Sequence, residues 1–534
     1  MEPVQVRRHL DRRWAFVLAM LTASSAALGV ASASVAPAPE VPVAATPKAT
    51  CGPGSRPETG LQGRVSQADH ESGRAAQGYT CNTELLGSIT EATAQGTYGG
   101  FKVLRYVDSA GHECAFYDTT LLFPTDVVDG AAGVRAVDMS DPSHPVVTDN
   151  LVTPAMLTPH ESLVLSEKTG RLVAVSGNPV TNAGVVDAYD VKDDCLHPTL
   201  LSSLPVGLLG HESGMAPDGN TFYSASPGTK TIQAVGLEDL PLMTPVWTSV
   251  GVYPSHGLSV SDDGNRIYVA GLDGLHILDV SEVQARVQFP EVTEVAHLAW
   301  DTMSIPQNAL PVTIDGSPYL IEIDEFGSGS KVGAGRIIDI TDESKPTIVS
   351  NLRLEVHQPE HFAEIKGDPS ATNPLQGYAG HYCAVPRRED PGIVACSMIL
   401  SGLRVFDIRD PRHPKEIAYF NAPIPERDVI DPSNFAMSAP AFVPERGEIW
   451  YSDGFSGFYA VKVTNGVWPF TAATAETPAT AAAPSAPAEA SPSPASLPAT
   501  GAAVPTVFVV TTGLGALLLL WVLRSTRHDH DLEG

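Results

Sequence analysis

Three segments place a histidine at the same point of a repeated pattern: His160-Glu161-Ser162, His211-Glu212-Ser213 and His256-Gly257-Leu258-Ser259. Neutral imidazoles brought together from separate segments are good ligands for copper, zinc or iron, since each offers a nitrogen lone pair without net charge. His381 offers a fourth ligand from later in the chain, with His297 and His361 as further candidates. The same pattern also has a purely architectural use, in which each histidine hydrogen-bonds a neighbouring segment's backbone and Glu161 and Glu212 form rim carboxylates. His357-Gln358-Pro359-Glu360-His361 has H-x-x-E-H spacing, but that protease chemistry needs both histidines on one helical face, and Pro359 disfavours a helix.

Other residue types point to turns. His144, His197 and His413 each precede a proline, and His112 stands two residues before Cys114, so all four are expected to face solvent. Asp129-Gly130, Asp218-Gly219, Asp263-Gly264 and Asp315-Gly316 are turn signals, none standing in a D-x-D-x-D-G calcium series. Gly327-Ser328-Gly329-Ser330 reads as a flexible loop and Asp324-Glu325 as a solvated acidic corner. No G-x-S-x-G elbow, phosphate-binding loop or dinucleotide fingerprint is present, so catalytic residues stay unassigned.

The elements that must position the histidines repeat as well. After each one comes an alternating run, a turn and a second run: Leu163–Ser166 then Arg171–Val175 around Thr169-Gly170, with Asp218-Gly219 and Asp263-Gly264 doing the same later. Such alternation around Asp-Gly or Thr-Gly predicts β-hairpins. Each hairpin leads to an apolar run ending in aspartate: Val134–Asp138, Val186–Asp190, Leu275–Asp279, Arg336–Asp339 and Leu403–Asp407, with weaker copies at Gln233–Leu237 and Phe458–Val463. The spacing is about fifty residues, the size of one four-stranded propeller blade. The terminal Asp and the following Ser or Thr are expected to cap a turn through side-chain to backbone hydrogen bonds.

These apolar-Asp strands, with their Ser/Thr/Arg-Asp-Pro sequels, resemble LVIVD repeats of bacterial extracellular β-propellers. The resemblance implies an all-β fold, a β-propeller of seven four-stranded blades over residues 100–470, with an insertion between 340 and 407. The segment Cys51-Gly52-Pro53-Gly54 through Gly78-Tyr79-Thr80-Cys81-Asn82 resembles the preamble of such proteins and defines residues 51–99. The innermost strand of each blade lines a channel, which would turn His160, His211, His256 and His381 towards one axis. Their phasing resembles the His-lined channels of propeller metalloenzymes such as the copper-dependent selenium-binding/methanethiol oxidase family. It departs from an all-His ring at Asn308 and at Ala439 or Pro440. Two functions follow as expectations: a ligand- or protein-binding module with an unidentified extracellular ligand, or a copper-dependent oxidoreductase, with copper or zinc as the implied metal.

Six cysteines, an even number, fit an oxidising compartment. Cys383 and Cys396 flank a turn-rich centre between apolar runs, which predicts a cross-hairpin disulfide. Cys51 with Cys81 and Cys114 with Cys195 would complete the set.

The chain ends point outside the cell. Arg7, Arg8, Arg12 and Arg13 precede an apolar run and Ala31-Ser32-Ala33, the layout of a secretory signal peptide over residues 1–33, followed by an Ala/Pro-rich linker, 34–50. Leu497-Pro498-Ala499-Thr500-Gly501 precedes an apolar segment, 502–523, and then Arg524 and Arg527. This arrangement, residues 497–534, resembles the LPXTG sorting signal of Gram-positive surface proteins, which implies that a sortase joins Thr500 to peptidoglycan. The Ala/Pro/Ser/Thr-rich tract 471–496 would then be a wall-spanning stalk. The expected location is therefore the cell wall, by way of a membrane-bound precursor.

Charge excludes one broad class. The 534 residues include 61 acidic and 33 basic side chains, a net charge of −28, which disfavours nucleic acid as a partner. Gly (46) and Pro (45) are frequent, which argues for many turns and against an all-helical fold.

Overall fold

Period-two alternation and glycine turns produce antiparallel sheets, and in the computed structural model there are seven of them. The structure describes residues 44–91, 99–119, 133–177, 184–208, 210–327, 331–373, 377–424 and 433–470. The signal peptide, the stalk, the sorting motif Leu497–Gly501 and the apolar segment 502–523 lie outside these residues. Among the described residues, no helix is long and apolar enough to cross a membrane.

The sheets are the blades of a seven-bladed β-propeller. Blade one comprises Val103–Val107, Glu113–Asp118, Val134–Asp138 and Val146–Leu151, and blade two Val164–Ser166, Arg171–Val175, Val186–Asp190 and Thr199–Leu204. Blade three comprises Gly214–Met215, Thr221–Ser226, Thr231–Gly236 and Thr244–Ser249. Blade four comprises Ser255–Val260, Arg266–Gly271, Gly274–Asp279 and Thr293–Leu298, and blade five Ile305–Ile314, Ser317–Glu325, Gly335–Asp339 and Thr347–Leu352. Blade six comprises Gly380–Ala384, Ile393–Met398, Gly402–Asp407 and Lys415–Asn421, and Tyr79–Cys81 pairs with its outer edge as a fifth strand. Blade seven takes three strands from the end of the ring, Ala441–Val443, Glu448–Asp453 and Gly457–Val463.

The fourth strand of blade seven is Thr83–Ile89, paired antiparallel from Thr83↔Val463 to Ile89↔Phe458. By sequence these residues belong to the preamble, since they carry no repeat signature. Their pairing joins the two ends of the propeller and covers an edge that would otherwise present unpaired backbone groups. The inner strands also meet at the seam, where Ala439 N–H donates to Phe101 O at 2.8 Å and Val103 N–H donates to Ala439 O at 3.0 Å.

Every pair of adjacent blades buries an apolar cluster. Leu172 and Phe116 pack between blades two and one, Val173 and Phe222 between two and three, and Tyr223 and Leu258 between three and four. Leu275 and Leu320 meet between blades four and five, Ile321 and Val394 between five and six, and Val405 and Ile449 between six and seven. Trp450 and Ala115 complete the ring between blades seven and one. Each sheet is thus apolar on both faces, which explains why its strands read as near-continuous apolar runs.

The repeated aspartates cap turns. Asp138, Asp190, Asp279, Asp339 and Asp407 each accept the backbone N–H two residues on, at 2.8–3.1 Å. Three of the proline-flanked histidines belong to the same turns: Asp141–His144, Asp194–His197 and Asp410–His413 are exposed pairs at 2.9, 3.1 and 2.9 Å.

The disulfides are Cys51–Cys81, Cys114–Cys195 and Cys383–Cys396. Cys383 and Cys396 are register partners in blade six. Cys114–Cys195 ties blade one to the turn after the third strand of blade two. The insertion between blades five and six contains short turns at Glu355–His357 and Pro359–His361 and one helical turn, Phe362–Ile365. His357 and His361 therefore do not share a helical face.

Candidate functional site

Two inner strands, carrying His256 and His381, and the segments leading into two others, carrying His160 and His211, bring four histidines from four blades together. The His160 and His211 rings lie 4.5 Å apart and the His211 and His256 rings 4.3 Å apart. Phe101 of blade one stands between His160, at 5.3 Å, and His381, at 5.5 Å. His256 and His381 are buried, whereas His160 and His211 are only partly so and give the cluster its contact with solvent.

Backbone irregularity aims these side chains. In blades four, five and six the pairing of the inner strand shifts by one residue, at His256, Gln307 and His381 respectively. A β-bulge leaves its extra residue unpaired and turns it out of the alternation, here towards the channel. In blade two His160 and Glu161 are consecutive non-glycine residues in left-handed backbone, with φ of 38° and 72°. Such conformations cost about 1–3 kcal/mol each and persist where their surroundings fix them. Ser162 supplies that restraint: its N–H donates to Pro159 O at 2.9 Å, and its Oγ accepts Val175 N–H at 3.0 Å. Gly177 leaves the necessary space, because a Cβ there would lie 2.4 Å from His160 Cβ.

Carboxylates sit inside the histidine ring. Glu161 Oε2 is 3.0 Å from His211 Nδ1, and Glu161 Oε1 is 3.2 Å from His381 Nε2. Glu161 Oε2 also accepts from Gln307 Nε2 at 2.5 Å and from the Tyr382 hydroxyl at 3.0 Å. Glu325 spans the other side, with its oxygens 3.4 Å from His256 Nε2 and 3.3 Å from His381 Nε2. Below them Lys102 Nζ donates to Glu212 Oε1 at 2.7 Å and lies 3.8 Å from the Tyr382 ring centre. Asn308 Nδ2 donates to the same Glu212 oxygen at 2.8 Å. Gly257 makes room for this carboxylate, since a Cβ there would fall 1.8 Å from Glu212 Oε2.

Protonation follows from burial and neighbours. Burial opposes ionisation of Glu161, but the His211 and His381 imidazoles outweigh it and hold the carboxyl well below its usual range. Burial disfavours the charged form of His381, yet Glu161 and Glu325 push it up to about 9. His256 is lowered by burial and by His211. Burial raises Glu212 despite Lys102, and raises Asp118, which accepts the Phe101 and Lys102 backbone N–H groups, to about 7.

The donor set suits a divalent transition-metal ion. One donor atom each from His160, Glu161 and His211 lie within 4.8 Å of one another. His211 Nδ1 and His381 Nε2 instead face carboxylate oxygens, of Glu161 in both cases and of Glu325 for His381 as well. Of the residues proposed from sequence, His160, His211, His256 and His381 come together. His297 does not: it lies on the outer strand of blade four, where it pairs with His276. His361 lies in the insertion, with Nδ1 3.6 Å from Glu364. Asp324 and Glu325 are buried rather than solvated, Asp324 against Arg336 and Glu325 in the channel. Lys102, Gln307 and Tyr382 carried no sequence signal, because what distinguishes them is the inward turn of an inner strand.

LVIVD repeats match at residues 127–153, across blade one, and 256–283, in blade four. No characterised protein sequence matches the chain. Among solved structures, hydrazine synthase from Kuenenia stuttgartiensis is similar at 15% identity and TM-score 0.37, over 55% of this chain and 73% of that one. A protein of unknown function from Desulfotomaculum acetoxidans is similar at 12% identity and TM-score 0.40, over 64% of this chain and 94% of that one. Likeness at this level carries no argument about function. What the sequence match and the sheets establish together is a chain with LVIVD repeats on a seven-bladed β-propeller.

Proposed function

We propose that the protein is a surface-displayed binding module whose propeller takes a divalent transition-metal ion, copper or zinc, at the channel mouth. The observation that carries this reading is the convergence of four imidazoles and two carboxylates, with donor atoms of His160, Glu161 and His211 within 4.8 Å of one another. His160, Glu161 and His211 would hold the ion, with His256 and His381 beside them. The test is metal analysis of the full chain, expressed without a polyhistidine tag, loaded with a copper(II) or zinc salt and desalted. Loss of an ion in the His160→Ala/His211→Ala double variant is the expected result, and metal content equal to wild type refutes the site.

Attachment to the Gram-positive cell wall through Thr500 is part of the same proposal. Its support is the order of Leu497–Gly501, the apolar segment 502–523 and the cationic Arg524 and Arg527. Thr500→Ala should leave the precursor in the membrane, so wall linkage of that variant contradicts sortase processing. A copper-dependent oxidoreductase is the second reading, favoured by the same imidazole donors. It requires bound copper to cycle between Cu(II) and Cu(I), read by electron paramagnetic resonance on addition of ascorbate. Copper that stays in one state leaves the binding module alone.

A further inference from the structure

Below the imidazoles, three side chains from three blades meet out of water. Lys102 comes from the segment before the inner strand of blade one, Glu212 from the segment before that of blade three, and Asn308 from the inner strand of blade five. All three are buried, at 7%, 2% and 7% exposure. Lys102 Nζ and Asn308 Nδ2 donate to one oxygen, Glu212 Oε1, at 2.7 and 2.8 Å, so an amine and a carboxamide lie within two hydrogen-bond lengths of each other. Glu212 Oε2 is buried and accepts no hydrogen bond among the described residues. The Tyr382 ring centre stands 3.8 Å from Nζ and closes that side to water. Asp118 Oδ1 accepts the Lys102 backbone N–H at 3.1 Å, which fixes the chain that carries the amine.

We propose that Lys102 and Asn308 become joined by an intramolecular amide bond, with Glu212 moving the protons. Glu212 takes one proton from the Lys102 ammonium, and the freed Nζ lone pair forms a bond to Asn308 Cγ. The Cγ–Nδ2 bond breaks as Glu212 passes that proton to Nδ2, which departs as ammonia. A second proton leaves Nζ for Glu212, so the products are a secondary amide, ammonia and a neutral carboxyl. No oxidant, metal or other reactant enters. Three physical effects favour the step. Held contact turns an attack that free lysine and asparagine side chains do not make into a unimolecular one. Exclusion of water removes the competing nucleophile. A buried ion pair, whose attraction only partly offsets its desolvation, gives way to two neutral groups. The bond ties blade one to blade five across the channel, independently of any metal bound above it.

The experiment is peptide mapping of the full chain, purified folded, then denatured, reduced, alkylated and digested with trypsin. Trypsin needs a free lysine side chain, so the bond protects Lys102 and links residues 75–105 to residues 287–331. Tandem mass spectrometry should find this linked species, lighter than the two peptides together by one ammonia. Free peptide 287–331 should be at least tenfold less abundant in wild type than in Lys102→Arg, whose guanidinium does not attack a carboxamide. Equal amounts of that free peptide in the two proteins, with no linked species in wild type, overturn the proposal. Wild type by itself decides whether the bond forms, whatever the variants do. In Glu212→Gln protein that keeps the wild-type circular dichroism spectrum, the free peptide should return to the Lys102→Arg level; a linked species at the wild-type level there overturns the role given to Glu212.

Discussion

Glu161 and His381 meet across the channel from blades two and six, with Oε1 3.2 Å from Nε2 and both side chains buried. One residue stands in left-handed backbone and the other on a β-bulge, so each blade departs from regular geometry to make the contact.

That contact sets a pH dependence. His381 is held up to about 9, so the folded protein keeps this proton more tightly than the unfolded chain does. The stability it contributes is complete below about pH 6.5 and is lost as pH rises through about 9. Glu161→Gln removes one of the two carboxylates facing the ring and leaves Glu325. In metal-free protein the variant should show a smaller loss of urea midpoint between about pH 6 and pH 9.5 than wild type. Identical profiles would contradict the coupling.

His357 behaves in the opposite sense. Burial, then the charges of Arg353 and Arg404, lower it to about 3, and its Nδ1 accepts Leu354 N–H at 3.0 Å. Between about pH 6.5 and 3 the unfolded chain binds a proton that the folded one refuses, so stability falls with pH over that window. The contribution lost between pH 7 and pH 5 is about 2 kcal/mol. His357→Gln should lack this component, measured by denaturant melts at both pH values.

Closure of the ring depends on the strand Thr83–Ile89. A Cβ on Gly87 would stand 2.3 Å from Pro142 O, in the Asp-Pro turn of blade one. Gly87→Val should therefore loosen this strand first and cost about 1–3 kcal/mol. Hydrogen exchange is expected to speed up at residues 83–89 and at their partners in Gly457–Val463 before the other blades. Uniform protection would show that the strand is not the weak point.

The disulfides should differ in worth. Cys114–Cys195 closes a separation of 81 residues and Cys383–Cys396 one of 13. Chain entropy alone makes these worth about 4.5 and about 3 kcal/mol. Replacing each pair by alanine and comparing melts should give the larger loss for Cys114/Cys195. The reverse order would mean that the blade-six hairpin depends on its bridge more than chain entropy implies.

The sequence by itself determined the repeat and its turns. Asp138, Asp190, Asp279, Asp339 and Asp407 could be read as caps because an aspartate two residues before a free N–H acts within one turn, whatever the rest of the fold does. The hairpin bridge Cys383–Cys396 was legible for the same local reason, and the recurring His160, His211 and His256 marked the inner strands. Tertiary structure alone decided the rest. Thr83–Ile89 has no repeat signature, and its place in blade seven comes from an unpaired edge some 370 residues away in sequence. His297 looked like a member of the channel set, yet its strand is the outer one, and register sends it to His276. Gln307 and His381 reach the channel through one-residue shifts in strand pairing, and Glu325 because the second strand of blade five ends there. Since side chains alternate with a period of two, one such shift changes the face a residue occupies, and only the assembled ring fixes where it falls.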